Sequence, residues 1–349
     1  MKKLLGLLAF MLATVSFAQG EQDVVKSIRI NSDWRQGYTD KSGNDANEIG
    51  NEGFKKANKT KLRWRNEFGT TLGLNDEFGL DADLFYKHDE DRFYNNGKRT
   101  KSKKGTDLID ANLSKSLQLG SLDTTTKLGV RHWTKLDNFG DGSKHTSGES
   151  NEYYFGPTFG VNVLGQNIKT TAQAVYFNQR GTGNQDNRYY RSGDDKARDG
   201  WGANLSLATD GKLLDGNFGT VSYDVSLDHF LRDGNGKNNK SNVRLDYTVG
   251  VGYDTPSFAG FYAFIRPENE WSKHTATGGY ENEFTVWTGL GYKKGFDTSI
   301  GTINVNPSVR YSPVNKLTDK GEYWNGSDKK TTVETNELRA GVKVSLDVK

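Results

Sequence analysis

The side chains with the means to do chemistry in this chain are mostly charged, and they recur at alternate positions. Lys61, Arg63 and Arg65 follow one another two apart, as do Asp81 and Asp83. Arg29, Arg35, Asp110, Asp224, Asp228, Arg310, Arg339 and Lys343 fall in segments built the same way, with apolar or small residues between the charges. A period of two puts such groups on one face of a strand. A charged strand face can hold water and set up an electric field along a wet surface. For most individual residues the plainer reading is that a wet face must be polar and that its Arg and Asp neutralise one another.

Catalytic and metal chemistry finds little support. The five histidines, His88, His132, His145, His229 and His274, are far apart and share no metal-ligand spacing. There is no G-x-S-x-G, Walker loop or G-x-G-x-x-G. A hydrolase reading would rest on His88 beside Asp89 and Asp91, or on His274 near a strand end. The stretch Gly193-Asp194-Asp195 lacks EF-hand spacing, so calcium enters only as a loop staple. No enzyme activity, cofactor or resident metal is expected.

The elements that would position these charges are long amphipathic strands. In Val221–Arg232 the odd positions are Val221, Tyr223, Val225, Leu227, His229 and Leu231, and the even positions are Ser222, Asp224, Ser226, Asp228, Phe230 and Arg232. Twelve residues suits a tilted strand crossing a bilayer, which takes roughly 9–11. The pattern recurs along the chain and predicts fourteen strands, with twelve or sixteen as alternatives. Six short turns alternate with longer connections around 41–58, 95–105, 140–150, 182–199, 233–240, 278–279 and 318–330. One turn is expected through Leu214-Asp215-Gly216. An even count with this alternation predicts an all-β fold, a transmembrane antiparallel up-and-down β-barrel. A soluble β-sandwich or solenoid is the alternative, but nothing in such folds requires short and long connections to alternate.

Aromatic placement points the same way. Trp34, Trp64, Tyr86, Tyr153, Phe155, Tyr176, Trp201, Trp271 and Phe284 lie on the apolar face near the long-loop ends, and Phe78, Tyr253, Phe261 and Tyr292 near the short turns. Two such girdles are what the interfacial preference of aromatic rings produces. On this reading His132 and His229 face lipid.

The N-terminus reads as an export signal, with Lys2 and Lys3, an apolar run from Leu4 to Val15, and Ser16-Phe17-Ala18 at a cleavage site. The run has about a dozen residues against the roughly 20 needed to span a bilayer as a helix. The expected division is residues 1–18 as signal peptide and 19–349 as barrel, with no N-terminal plug domain. With 16 Tyr, 18 Phe and 7 Trp the chain is too aromatic to be disordered despite its 41 glycines, and without cysteine it has no disulfide framework. With 47 basic and 44 acidic residues, bulk charge gives no reason to expect a nucleic-acid partner.

Inward glycines such as Gly129, Gly156, Gly202, Gly250, Gly289 and Gly291 suggest a lumen lightly filled by side chains. The basic seam expected to line it comprises Arg29, Arg35, Lys61, Arg63, Arg65, Arg310, Arg339 and Lys343. Asp81, Asp83, Asp110, Asp224 and Asp228, with Glu152, form the acidic side. Inward Trp133, Tyr154, Phe177, Phe230 and Trp287 offer faces for sugar rings, though packing is the commoner use.

With its MKKLLGLL start and its Arg- and Asp-dotted strands, the chain resembles the bacterial porins. The resemblance is to the monomeric fourteen-stranded type and to the fusobacterial major outer-membrane porins. It covers Gln19 to Lys349 as a pattern, without a motif from which a residue role could be carried over. The ending Leu346-Asp347-Val348-Lys349 departs from the terminal Phe or Trp usual in such barrels. The resemblance implies a Gram-negative outer-membrane location and a water-filled channel, monomeric or a porin-like trimer. Its partners would be the outer-membrane bilayer and small hydrophilic solutes and ions, with sugars or anionic oligosaccharides among the candidates. The alternative is a surface adhesin or receptor acting through its extracellular loops.

Overall fold

The computed structural model describes residues 25–39, 59–75, 77–95, 98–120, 122–138, 144–163, 166–180, 198–234, 242–274, 279–321 and 327–348. The signal segment, the 41–58 loop and all but the end of the 182–199 loop lie outside these residues. The strands are β1 (Val25–Thr39), β2 (Lys59–Asn75), β3 (Leu80–Asn95), β4 (Lys98–Leu119) and β5 (Leu122–Asn138). They continue with β6 (Lys144–Val163), β7 (Gln166–Arg180), β8 (Arg198–Gly216), β9 (Gly219–Gly234) and β10 (Asn242–Asp254). The last are β11 (Phe261–His274), β12 (Tyr280–Tyr292), β13 (Lys294–Thr298), β14 (Gly301–Gly321) and β15 (Ser327–Val348).

Every neighbouring pair is antiparallel, and β1 pairs with β15 as well as β2, which closes the sheet. β13 is the lower end of β12. Both pair with β14, and the register runs on without slip from Gly291↔Ser308 to Lys294↔Val305. Counting β12 and β13 as one crossing, the molecule is a closed fourteen-stranded antiparallel barrel, with no helix among the described residues. Closure satisfies every strand's ladder and leaves no edge.

The register assigns each side chain a face. Tyr153, Phe155, Leu128, Trp201, Leu205, Leu207, Ile265 and Leu290 point outward, and each is more than 40% exposed. A continuous apolar outer face of this kind is unsuited to water. Along β6, outward residues run ten steps from Tyr153 to Val163. At about 3.4 Å per residue and a tilt near 40° these steps span about 26 Å, the height of a lipid-facing band. Ring contacts mark both rims, with Tyr176 5.2 Å from Trp201 at one and Phe261 4.7 Å from Tyr292 at the other.

The strands outrun the sequence-based expectation. Most of 95–105, 140–150 and 318–330 is paired strand rather than loop, because β4 begins at Lys98, β6 at Lys144, and β14 continues to Gly321. Leu214-Asp215-Gly216 is likewise strand, and that hairpin turns at Asn217-Phe218. Backbone pairing needs no apolar face, so a hairpin continues past the apolar band where both faces are wet and the period-2 signal vanishes.

Candidate functional site: the inner wall

Inward side chains lie along the wall rather than across the lumen. Lys26 on β1 reaches over β2 to Asp81 on β3 (2.7 Å), and Lys127 on β5 reaches over β4 to Asp83 (3.0 Å). Arg266 on β11 passes over β10 to bind Asp224 on β9. Asp110 accepts from Arg131 (2.8 Å) and from Tyr154 (2.5 Å), whose ring crosses β5 to get there.

Glycine makes this tangential packing possible. A Cβ on Gly129 would stand 2.4 Å from the Tyr154 ring, and one on Gly291 2.4 Å from Tyr262. Gly129 and Gly291 are therefore seats for neighbouring rings and Gly250 for the Asp224 carboxylate, whereas Gly156, Gly202 and Gly289 lie closest to backbone of the adjoining strand. They do not leave the wall bare, as the sequence had suggested.

The basic residues of the seam form a row. Arg310, Arg339, Arg35 and Arg63 stand directly opposite one another across β14, β15, β1 and β2. Three have a carboxylate on the same wall. Arg35 donates to Asp33 (2.8 Å), Arg339 to Glu337 (2.5 Å), and Arg63 makes a two-pronged contact with Asp91 (2.7 and 2.9 Å). Arg65 grips Asp89 in the same way (2.8 and 2.9 Å), a geometry that fixes the guanidinium plane. Arg310 stacks instead on Trp287 at 4.7 Å, with Arg339 on the same ring at 4.2 Å.

A second sector is packed. Tyr154, Val175 and Phe177 form a buried cluster with Phe230 against it. Beside them the Arg232–Glu152 pair (3.1 Å) is almost wholly buried, its side chains 1% and 3% exposed, and Arg232 also donates to Asn204 (2.9 Å). Phe177 is fully buried and Trp287 is 2% exposed. Of the aromatics proposed as sugar platforms, Tyr154, Phe177 and Phe230 therefore belong to the packing, and Trp287 has its ring taken by two guanidinium groups. Trp133 is half-buried on the same inner face.

Space remains beside the seam. A cavity of about 630 Å³ opens between β1, β2, β3, β14 and β15, lined by Arg29, Asn31, Glu67, Asp83, Phe85 and Lys343 among others. Arg29 and Lys343 are exposed there. Asp228 lies on the inner face opposite Ser206 and Asp246. The side chain of Lys61 lies outside the described residues. All the other candidate charges stand on the inner face of the barrel.

Several participants were not singled out from the sequence. Lys26, Lys127, Arg131, Arg266 and Glu337 all occupy the polar parity of their strands, which was the available signal. The partners of Lys26, Lys127 and Arg266 could not be read, because nothing local encodes a contact that skips a strand.

The histidines whose side chains are described, His88, His132 and His229, all face outward. His88 points outward and shares Asp107 with Tyr86 (2.7 and 2.9 Å), whereas Asp89 and Asp91 point inward to Arg65 and Arg63. The grouping that a hydrolase reading required is thus split between opposite faces of β3. His132 is also outward, 2.8 Å from Asn151, and His229 lies on the outer face between Leu205 and Leu245. The side chain of His274 lies outside the described residues.

No protein-family model and no curated protein matches the chain. Among solved structures it is similar to the TodX monoaromatic hydrocarbon channel deltaS2 mutant, with TM-score 0.45 and 7% identity, covering 95% of this chain and 92% of that one. It is also similar to the P. putida toluene transporter TodX, with TM-score 0.42 and 10% identity over 96% and 92% of the two chains. A third is the outer membrane channel DcaP of Acinetobacter baumannii, with TM-score 0.38 and 12% identity over 91% and 96%.

Proposed function

We propose that the chain forms a channel in a bacterial outer membrane for passive diffusion of small hydrophilic solutes and ions. The observation that carries this reading is the division of faces. Apolar side chains clothe the outside of a closed barrel, while the inside is a charge-paired polar wall with open space beside the seam. Selectivity then comes from the width left by the packed sector and from the charges along the wall. Export by a cleaved signal peptide, a non-enzymatic role and kinship with fusobacterial porins belong to the same proposal. Sugars and anionic oligosaccharides remain candidate cargo. Purified protein reconstituted in a planar bilayer is expected to give stepwise ion currents. Folded, inserted barrel without current would overturn the proposal.

A second reading, a surface receptor or adhesin, draws on the hairpins that continue beyond the apolar band, since β4 and β15 each run for 22 residues. Cells displaying the barrel with the β3–β4 hairpin shortened should lose attachment on this reading. On the channel reading they should keep full conductance.

A further inference from the structure

We propose that the cavity beside the seam is a binding subsite for a small oxyanion, a carboxylate or phosphate group held between Arg29 and Lys343. The proposal deepens the channel reading and rests on it in one respect, that solute enters through the lumen.

The two cations sit on adjacent strands. Arg29 faces Ser345 and Asn31 faces Lys343, so Arg29 and Lys343 are diagonal neighbours on one face. Such positions are about 7–8 Å apart, and long side chains can converge across that distance. Both are exposed to the cavity, and neither has a hydrogen bond or ion pair among the described residues. This separates them from the arginines higher on the seam, three of which are neutralised on their own wall.

The carboxylates around the cavity are already engaged. Asp83 holds Lys127 (3.0 Å) and Thr71 (2.9 Å), Glu67 accepts from Asn31 (2.9 Å), and Asp347 accepts from Asn304 (3.3 Å). An incoming anion thus meets two uncommitted cations. The Phe85 ring lies 3.8 Å from where a Cβ on Gly69 would stand, giving the cavity an apolar wall beside the cations. A volume of about 630 Å³ accommodates an organic anion as well as a bare one.

The test is titration calorimetry of the full folded barrel in a maltoside detergent, whose headgroup carries no anion. Inorganic phosphate and succinate serve as separate probes for the two sources of the oxyanion, and bilayer conductance is measured on the same preparations. Saturable binding of either probe is expected, weakened at least tenfold in Arg29→Gln and in Lys343→Gln, with Lys343→Arg restoring most of it. Both side chains are exposed, so the variants should keep the heat-modifiable migration of the folded barrel. No saturable binding of either probe, or unchanged affinity in the folded double variant, overturns the subsite. Binding without conductance overturns the channel reading and leaves the subsite standing. Conductance without binding does the reverse.

Discussion

Single residues matter most where the wall is packed. Arg232→Met would leave Glu152 buried with only its longer contact to Arg131 (3.4 Å). Breaking one side of a buried pair costs about 3–5 kcal/mol. Denaturant titration of the detergent-folded barrel should show that loss, and a smaller one when Arg232→Met is combined with Glu152→Leu. A double variant as unstable as the single one would count against the argument. Gly129→Ala places a methyl where the Tyr154 ring lies and breaks the Tyr154–Asp110 bond. Overpacking of this kind costs about 1–3 kcal/mol. Tyr154→Ala in the same chain should recover part of it, because the two residues contact each other and their effects cannot add. At this scale the sequence showed which face each charge occupies, since parity alone decides that. It did not show that Arg232 meets Glu152 across two intervening strands, because nothing local encodes a contact 80 residues away.

At the scale of the strand, the same alternation predicts opposite outcomes for chain neighbours. Leu207 faces outward in the middle of β8, and Ser206 faces inward opposite Asp228. Leu207→Arg should cost about 2–4 kcal/mol, the depth-dependent penalty for a cation on the lipid face near the midplane. Ser206→Arg, which gains a carboxylate neighbour in a wet lumen, should change stability by less than about 1 kcal/mol. Equilibrium refolding into lipid vesicles compares the two directly, and equal penalties would refute the face assignment. Strand existence and phase were legible because apolar and polar residues alternate across the band. Strand ends were not, because in 98–104 and 144–150 both faces are wet and the alternation carries no information about pairing.

At the scale of the whole molecule, the fourteen crossings join in two ways. Thirteen contacts between neighbours are made within hairpins or across single connections. The fourteenth joins the two ends of the chain, with Ser27 paired to Asp347. By loop-closure entropy, bringing together residues 320 apart (347 − 27) costs about 4 kcal/mol more than closing a five-residue hairpin loop. Closure should therefore be late in folding. Stopped-flow refolding should show that Ala340→Gly, opposite Trp34 at the join, slows the final phase more than a matched change within the β9–β10 hairpin. Until that last pairing forms, β1 and β15 are two bare edges of one long sheet, each able to template another chain. Two half-made copies joined edge to edge would satisfy the same hydrogen bonds as one closed barrel. The join is thus the point at which this protein is exposed to swapping and aggregation, and whatever holds its ends apart before assembly protects it.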